Sequence, residues 1–154
     1  MPDQNHNLGP LAATEEDLRA LLREVASLKH QADLSARKTH DEFARLLLDV
    51  IEVLDGFDRT LALIEPRLTE AEPRVRKWIS SFRSVRRNLA SQLESHEVIP
   101  IVAPDGCVIP GQHRVIETRE QAGTGDGTIL EEVVAGYLWR GEVLRQSEVV
   151  AVRN

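Results

Sequence analysis

Between Thr14 and Gly56 the chain contains neither glycine nor proline, and along that stretch its apolar and small residues keep helical spacing. They fall at Leu18, Leu21, Val25, Leu28, Ala32, Ala36, Thr39 and Phe43, then at Leu47, Val50, Leu54, Phe57, Leu61, Ile64 and Leu68, in steps of three and four. Thr14 is placed as the N-cap of this helix, with Glu15, Glu16 and Asp17 in the first turn where carboxylates meet the positive end of the helix dipole. Pro66 ends the run. From Phe43 the steps alternate as in a coiled-coil or bundle seam, while consecutive steps of four from Leu28 to Ala36 pull the period toward that of a straight helix. A single helix cannot bury such a seam on itself. A parallel homodimer would bury it, and folding back onto the next helix of the same chain is the alternative.

Pro66 and Pro73 bracket a short connection, and Thr69 with Glu72 has the spacing of a capping box. The second helix carries Val75, Trp78, Phe82, Val85, Leu89 and Leu93 as its apolar stripe, with Arg74, Arg76, Lys77, Arg83, Arg86 and Arg87 on other faces. Two helices joined by a short turn pack antiparallel, so dimerisation would build a four-helix bundle. Its expected contacts are Phe43, Leu47, Val50, Leu54, Phe57, Leu61, Trp78 and Phe82. Composition agrees: with 4% aromatic and 29% charged residues, the chain is poor in core for its length, and oligomerisation would supply burial.

After His96 the period becomes strand-like. Strands are expected at residues 98–102, 107–109, 113–119, 128–135, 137–145, where Gly141 allows a tight turn between two strands, and 148–152, with Pro104, Asp105 and Gly106 as a turn and residues 123–127 as a mobile hairpin loop. The expected architecture is α+β. Residues 1–13 form a disordered tail; 14–97 a long coiled-coil-like helix and a second helix in a dimeric four-helix bundle; and 98–154 a small all-β C-terminal domain.

Several function classes are disfavoured. A net charge of −6 argues against general nucleic-acid binding, which needs a basic surface, and the Arg-rich second helix is read as pairing along the bundle. Cys107 is the one cysteine, so no internal disulfide or multi-cysteine metal site exists, and an inert buried thiol is expected. His6, His30, His40, His96 and His113 lack zinc spacing, with His113 expected to be hydrogen-bonded inside the β domain. The glycines of 123–127 precede strand formers rather than a helix, unlike a phosphate loop. The chain's start lacks signal-peptide regions and no apolar run has membrane-spanning length, so no membrane association and a cytoplasmic location are expected. Neither a catalytic constellation nor a cofactor or metal site is identified.

The last fifth carries a denser pattern. Gly136, Tyr137, Gly141, Leu144, Arg145, Ser147 and Val149 stand at the spacing of the carboxy-terminal signature of the GrpE family, which this stretch resembles. The segment from Leu54 to Leu61, with Asp55, Phe57, Asp58 and Arg59, resembles the family's bundle-helix motif; Leu46, Leu47 and Leu48 match its preceding leucines. Val98 and Ile101 match its hinge, and Pro110 with His113 the first half of its signature. Val108, Ile109 and Val115 depart from the family pattern, Ser81 replaces a common glycine, Glu142 a common arginine, and Ala151 a valine or isoleucine.

The resemblance implies a homodimeric, non-enzymatic nucleotide exchange factor whose β domain docks on the ATPase domain of a DnaK-type chaperone. It implies that Pro110, Val133, Glu142, Leu144 and Ala151 face that partner, and that Gly136, Tyr137, Gly141 and Val149 build the domain. Glu142 has two readings: a tolerated peripheral change, or a complementary change that selects one chaperone paralogue. The competing class is a coiled-coil dimeric adaptor with this fold whose exchange activity is lost or redirected.

Overall fold

The computed structural model describes residues 9–68 and 71–154, with side chains from residue 14 onward. Helix α1 runs over Gly9–Ile64, 56 residues. It starts ahead of Thr14, which therefore lies inside the helix and is not its N-cap. Of the segment expected to be a tail, residues 9–13 are helical, and 1–8 lie outside the described residues. The chain divides into two compact units, the first ending at Arg45 and the second spanning Leu46–Asn154.

The first unit is the helix up to Arg45. Leu18, Leu21, Leu22, Val25, Leu28 and Leu34 are exposed along it, and ion pairs such as Lys38 to Glu42, one turn apart, line its polar surface.

In the second unit α1 continues to Ile64, followed by a 3-10 turn at Glu65–Arg67 with Pro66 as its second residue. Helix α2 spans Pro73–Ser95, with Glu72 at its N-cap and Pro73 in the first turn. The Glu72 side chain makes no cap hydrogen bond, and Thr69, its expected capping-box partner, lies outside the described residues. Arg83 pairs with Glu65 and Arg86 with Asp58, so the sequence numbers run in opposite senses and the helices are antiparallel. The buried face of α1 is Leu47, Ile51 and Leu54, with Ile51 at 0% exposure; each such side chain contributes about 2 kcal/mol of burial. Ile79 and Leu93 are buried on α2, whereas Trp78, at 66% exposure, and Phe82 are not. Of the stripes read from periodicity, Leu47, Leu54 and Leu93 are buried within the chain, Ile51 and Ile79 join them from just beside the stripes, and Phe43, Val75, Trp78, Phe82 and Val85 stay exposed.

The remaining chain forms two small sheets. In one, β1 (Val98–Pro100), β4 (Tyr137–Trp139) and β5 (Glu142–Arg145) lie in the order β1-β4-β5, all antiparallel. In the other, β6 (Ser147–Val152) is central, parallel to β2 (His113–Arg119) and antiparallel to β3 (Ile129–Val134). Being central, β6 buries Val149, Val150, Ala151 and Val152 in succession. The sheets meet at Gly136: its carbonyl accepts from Ile101 N–H (2.9 Å), while Ser147 N–H donates to Gln112 O (3.0 Å).

Three strand expectations change. Residues 107–109 form no strand, only a bridge from Cys107 to Thr128, because Ile109 N–H donates to His113 Nδ1 (3.0 Å) and Pro110 has no N–H to donate. The first strand ends at Pro100 and not at residue 102. The segment 123–127 is no hairpin, since β2 and β3 flank β6 without pairing with each other. Nor is it free: Asn154 Nδ2 donates to Thr124 O (2.8 Å), Asn154 N–H to Asp126 Oδ1 (2.7 Å), and Gly127 N–H to Val152 O (2.9 Å).

Candidate functional site

The β4–β5 turn is set by backbone sterics. Arg140 (φ 53°) and Gly141 (φ 83°) both occupy the left-handed region, as a two-residue turn of matching twist requires. Arg140 lies over the Trp139 ring (5.2 Å to its centre), pairs with Glu97 (3.3 Å), and donates its N–H to the Glu97 carbonyl (3.1 Å). The start of β5 is thereby anchored to the connection between α2 and β1. Glu142 then projects exposed, and Leu144, two residues on along β5, is half-buried.

The other expected contact positions sit elsewhere. Pro110 is exposed in a turn that the Ile109 to His113 bond and Gln146 Nε2 to Gly111 O (2.9 Å) hold in place. Val133 is 50% exposed on β3. Ala151 is 2% exposed on β6, the central strand of its sheet, so its side chain fills the module from within and offers no surface to a partner. The five positions are therefore divided between two sheets and a turn.

The helical positions divide as well. Phe57, Leu61 and Phe82 come together in an apolar groove of about 390 Å³ that Val53, Gly56, Thr60, Ile64 and Ile79 complete. Trp78 and Phe82 line an adjoining groove of about 220 Å³ with Arg74 and Val75. Leu47 and Leu54 are buried inside this chain, Val50 is half-buried beside them, and Phe43 lies exposed in the first unit.

Where helices and sheet meet, charges gather that linear spacing does not reveal. Arg145 forms a two-pronged pair with Asp55, Nη1 to Oδ2 at 2.6 Å and Nη2 to Oδ1 at 3.1 Å, and also donates to the Ala135 carbonyl. Arg86 grips Asp58 in the same two-pronged manner, both contacts at 2.8 Å. The hydrogen bond to Asp58 raises the Arg86 pKa against the opposing effect of burial. Burial, then the charge of Asp55, pushes the Tyr137 phenol above its ordinary value, with Arg86 and Arg145 opposing. Asp55 and Asp58 lie one helical turn apart, and nothing in the linear spacing linked them to Arg145 and Arg86 far along the chain.

Reactive side chains are committed or isolated. Ser147 is fully buried and donates its hydroxyl to Glu132. His113 is buried with Nδ1 engaged by Ile109, as its hydrogen-bonded reading expected. Cys107 is exposed and not buried: the strand expected to hold it does not form, and only a bridge to Thr128 remains. Among the described residues no group of three or more His, Cys, Asp or Glu side chains could hold a metal ion, and no helix is long and apolar enough to cross a membrane.

A long helix, a second helix antiparallel to its end and a two-sheet β module, with apolar grooves along the helices and charge-paired joints between helix and strand, define an α+β protein. The chain belongs to the GrpE family, whose model, described as GrpE, matches residues 10–153. It is 35% identical to Protein GrpE of Gloeobacter violaceus over 69% of this chain and 52% of that protein. It is 23% identical to Protein GrpE of Novosphingobium aromaticivorans over 100% of this chain and 87% of the relative. With Protein GrpE of Synechococcus elongatus it shares 29% identity over 97% of this chain and 66% of the relative. The chain thus spans about half the length of the first of these relatives.

Proposed function

We propose that this protein is an adenine-nucleotide exchange factor that binds the ATPase domain of a DnaK-type chaperone and promotes ADP release by opening the nucleotide cleft. The observation that carries the reading is family membership across residues 10–153 together with a hairpin that keeps the family's signature residues. Residues 98–154 act as the binding domain, with Pro110, Val133, Glu142 and Leu144 toward the chaperone and Ala151 supporting them from the core. The work is differential binding: a factor that prefers the open, nucleotide-free cleft and ADP must weaken each other's affinity by the same ratio. The reading needs no covalent step, cofactor, metal, nucleic acid or membrane, and it places the protein in the cytoplasm.

The factor works as a homodimer. Val75, Trp78, Phe82 and Val85 expose a contiguous apolar stripe on α2 beside a groove that α1 shares, which is the surface a second copy would cover. Residues 14–97 are the dimerisation region in this reading. Stopped-flow release of a labelled ADP from DnaK-type chaperones of the source organism is the test. Acceleration supports exchange; a chain that dimerises and binds the chaperone without accelerating release is the adaptor with lost or redirected activity.

A further inference from the structure

We propose that Asp55 and Arg145 are positioning residues for exchange, a pair whose task is to hold the β module at a fixed angle to α1 while the module bears on its partner. The inference rests on the exchange-factor reading above.

All three guanidinium nitrogens of Arg145 are engaged. Its two outer nitrogens meet both Asp55 oxygens at 2.6 and 3.1 Å, Nε and Nη2 share the Ala135 carbonyl at 3.0 and 2.6 Å, and its plane lies over the Tyr137 ring at 5.5 Å. One side chain thus ties α1 to β5, to β4 and to the link from β3. The side chains of Arg145 and Asp55 are only 23% and 21% exposed, so water competes little for the pair. By contrast the exposed Arg114 to Glu148 pair stays within one sheet and joins nothing across the unit.

The location matters as much as the strength. Glu142 and Leu144, proposed to face the chaperone, share β5 with Arg145. Loosening the pair leaves those contact side chains in place but lets their strand tilt against the helix. A tilting module can follow either cleft conformation, so it binds both nearly equally, and equal binding shifts no equilibrium. The signature of lost positioning is therefore a lower saturated release rate at nearly unchanged affinity, which simple destabilisation does not produce.

Asp55→Asn and Arg145→Lys test this, the first keeping shape and an acceptor, the second keeping charge but not the fork. In ADP release titrated with factor, both are expected to lower the saturated rate about tenfold, with the half-saturating concentration within about twofold. Spin labels on Glu52 and Glu131, in a Cys107→Ser background and with labelled chains diluted into an excess of unlabelled ones so that distances within one chain dominate, are expected to give one narrow distance distribution that Asp55→Asn broadens. An unchanged saturated rate, a rate that falls only with the folded fraction, or an unbroadened distribution overturns the proposal. A wild-type chain that accelerates nothing overturns the exchange reading, and the label distances then decide whether the pair fixes the module's angle on its own account.

Discussion

Gly136 lies so close to Ser147 that a Cβ on the glycine would stand 2.4 Å from the Ser147 nitrogen and 2.8 Å from Ile101 Cδ1. The two sheets touch there, backbone against backbone, and the serine nitrogen cannot retreat without giving up its bond to Gln112 O at 3.0 Å. Gly136→Ala is therefore expected to cost about 3 kcal/mol or more, whereas Gly141→Ala, strained in φ but with open space around it, costs about 1 kcal/mol. Urea unfolding followed by Trp139 emission in a Trp78→Phe background checks the contrast; equal costs would refute the steric account.

Glu97 sits at φ 63°, just past the C-cap of α2, where a side chain crowds its own backbone. Its ion pair with Arg140 is exposed on both sides, at 65% and 68%, and so offsets little of that cost. Glu97→Gly is expected to stabilise the chain by up to about 1 kcal/mol. A lower unfolding midpoint would show that the pair outweighs the strain.

Tyr137 is buried with its pKa raised, first by desolvation and then by Asp55. A folded pKa above the unfolded value gives stability that is full below the unfolded pKa, about 10, and is lost as pH rises through the folded one. Urea midpoints measured between about pH 8.5 and 11.5 are expected to fall at the alkaline end, and Tyr137→Phe is expected to flatten that fall. Parallel curves for the two proteins would remove Tyr137 as the cause.

The sequence was most readable where one periodicity sufficed. The long helix, the change of period at Val98 and the turn between Trp139 and Glu142 all follow from local residues. The inner face of the helices was readable in part: Leu47, Leu54 and Leu93 stand in the expected stripes and are buried, whereas Ile51 and Ile79 lie just beside those stripes and periodicity passed them over. Non-local pairing escaped for a related reason: nothing local tells β2 to pair parallel to β6 rather than with β3. The strand expected from Cys107 failed because a side chain, His113 Nδ1, took the backbone donor a ladder would have used. Of the contact positions, Ala151 could be recognised as internal only once β6 proved central.

Phe82 lines both helical grooves and is half exposed. In a dimer of this chain it would be covered, and a carboxylate there would be buried unpaired. Phe82→Asp is expected to give a folded monomer with α1 and α2 still paired, since Ile51, Leu54 and Ile79 are buried within one chain. Sedimentation equilibrium with circular dichroism distinguishes the outcomes; a dimer unchanged in strength would move the interface off this face.

Glu142 is exposed at the start of β5, on a strand whose neighbour Arg140 is already engaged by Glu97 and Trp139. Arg140 is thus occupied with holding the turn, and Glu142 is left to set the charge that the strand presents. If it meets a basic patch on one chaperone, Glu142→Arg places like charges in contact and weakens that complex by about tenfold or more, most strongly at low salt. A chaperone with an acidic patch at the same place would gain. Half-saturating concentrations for ADP release, measured at two ionic strengths on each DnaK-type chaperone available in the cell, separate a selective contact from a tolerated one. Identical values for both proteins on every chaperone would leave Glu142 as ordinary surface and return specificity to Pro110, Val133 and Leu144.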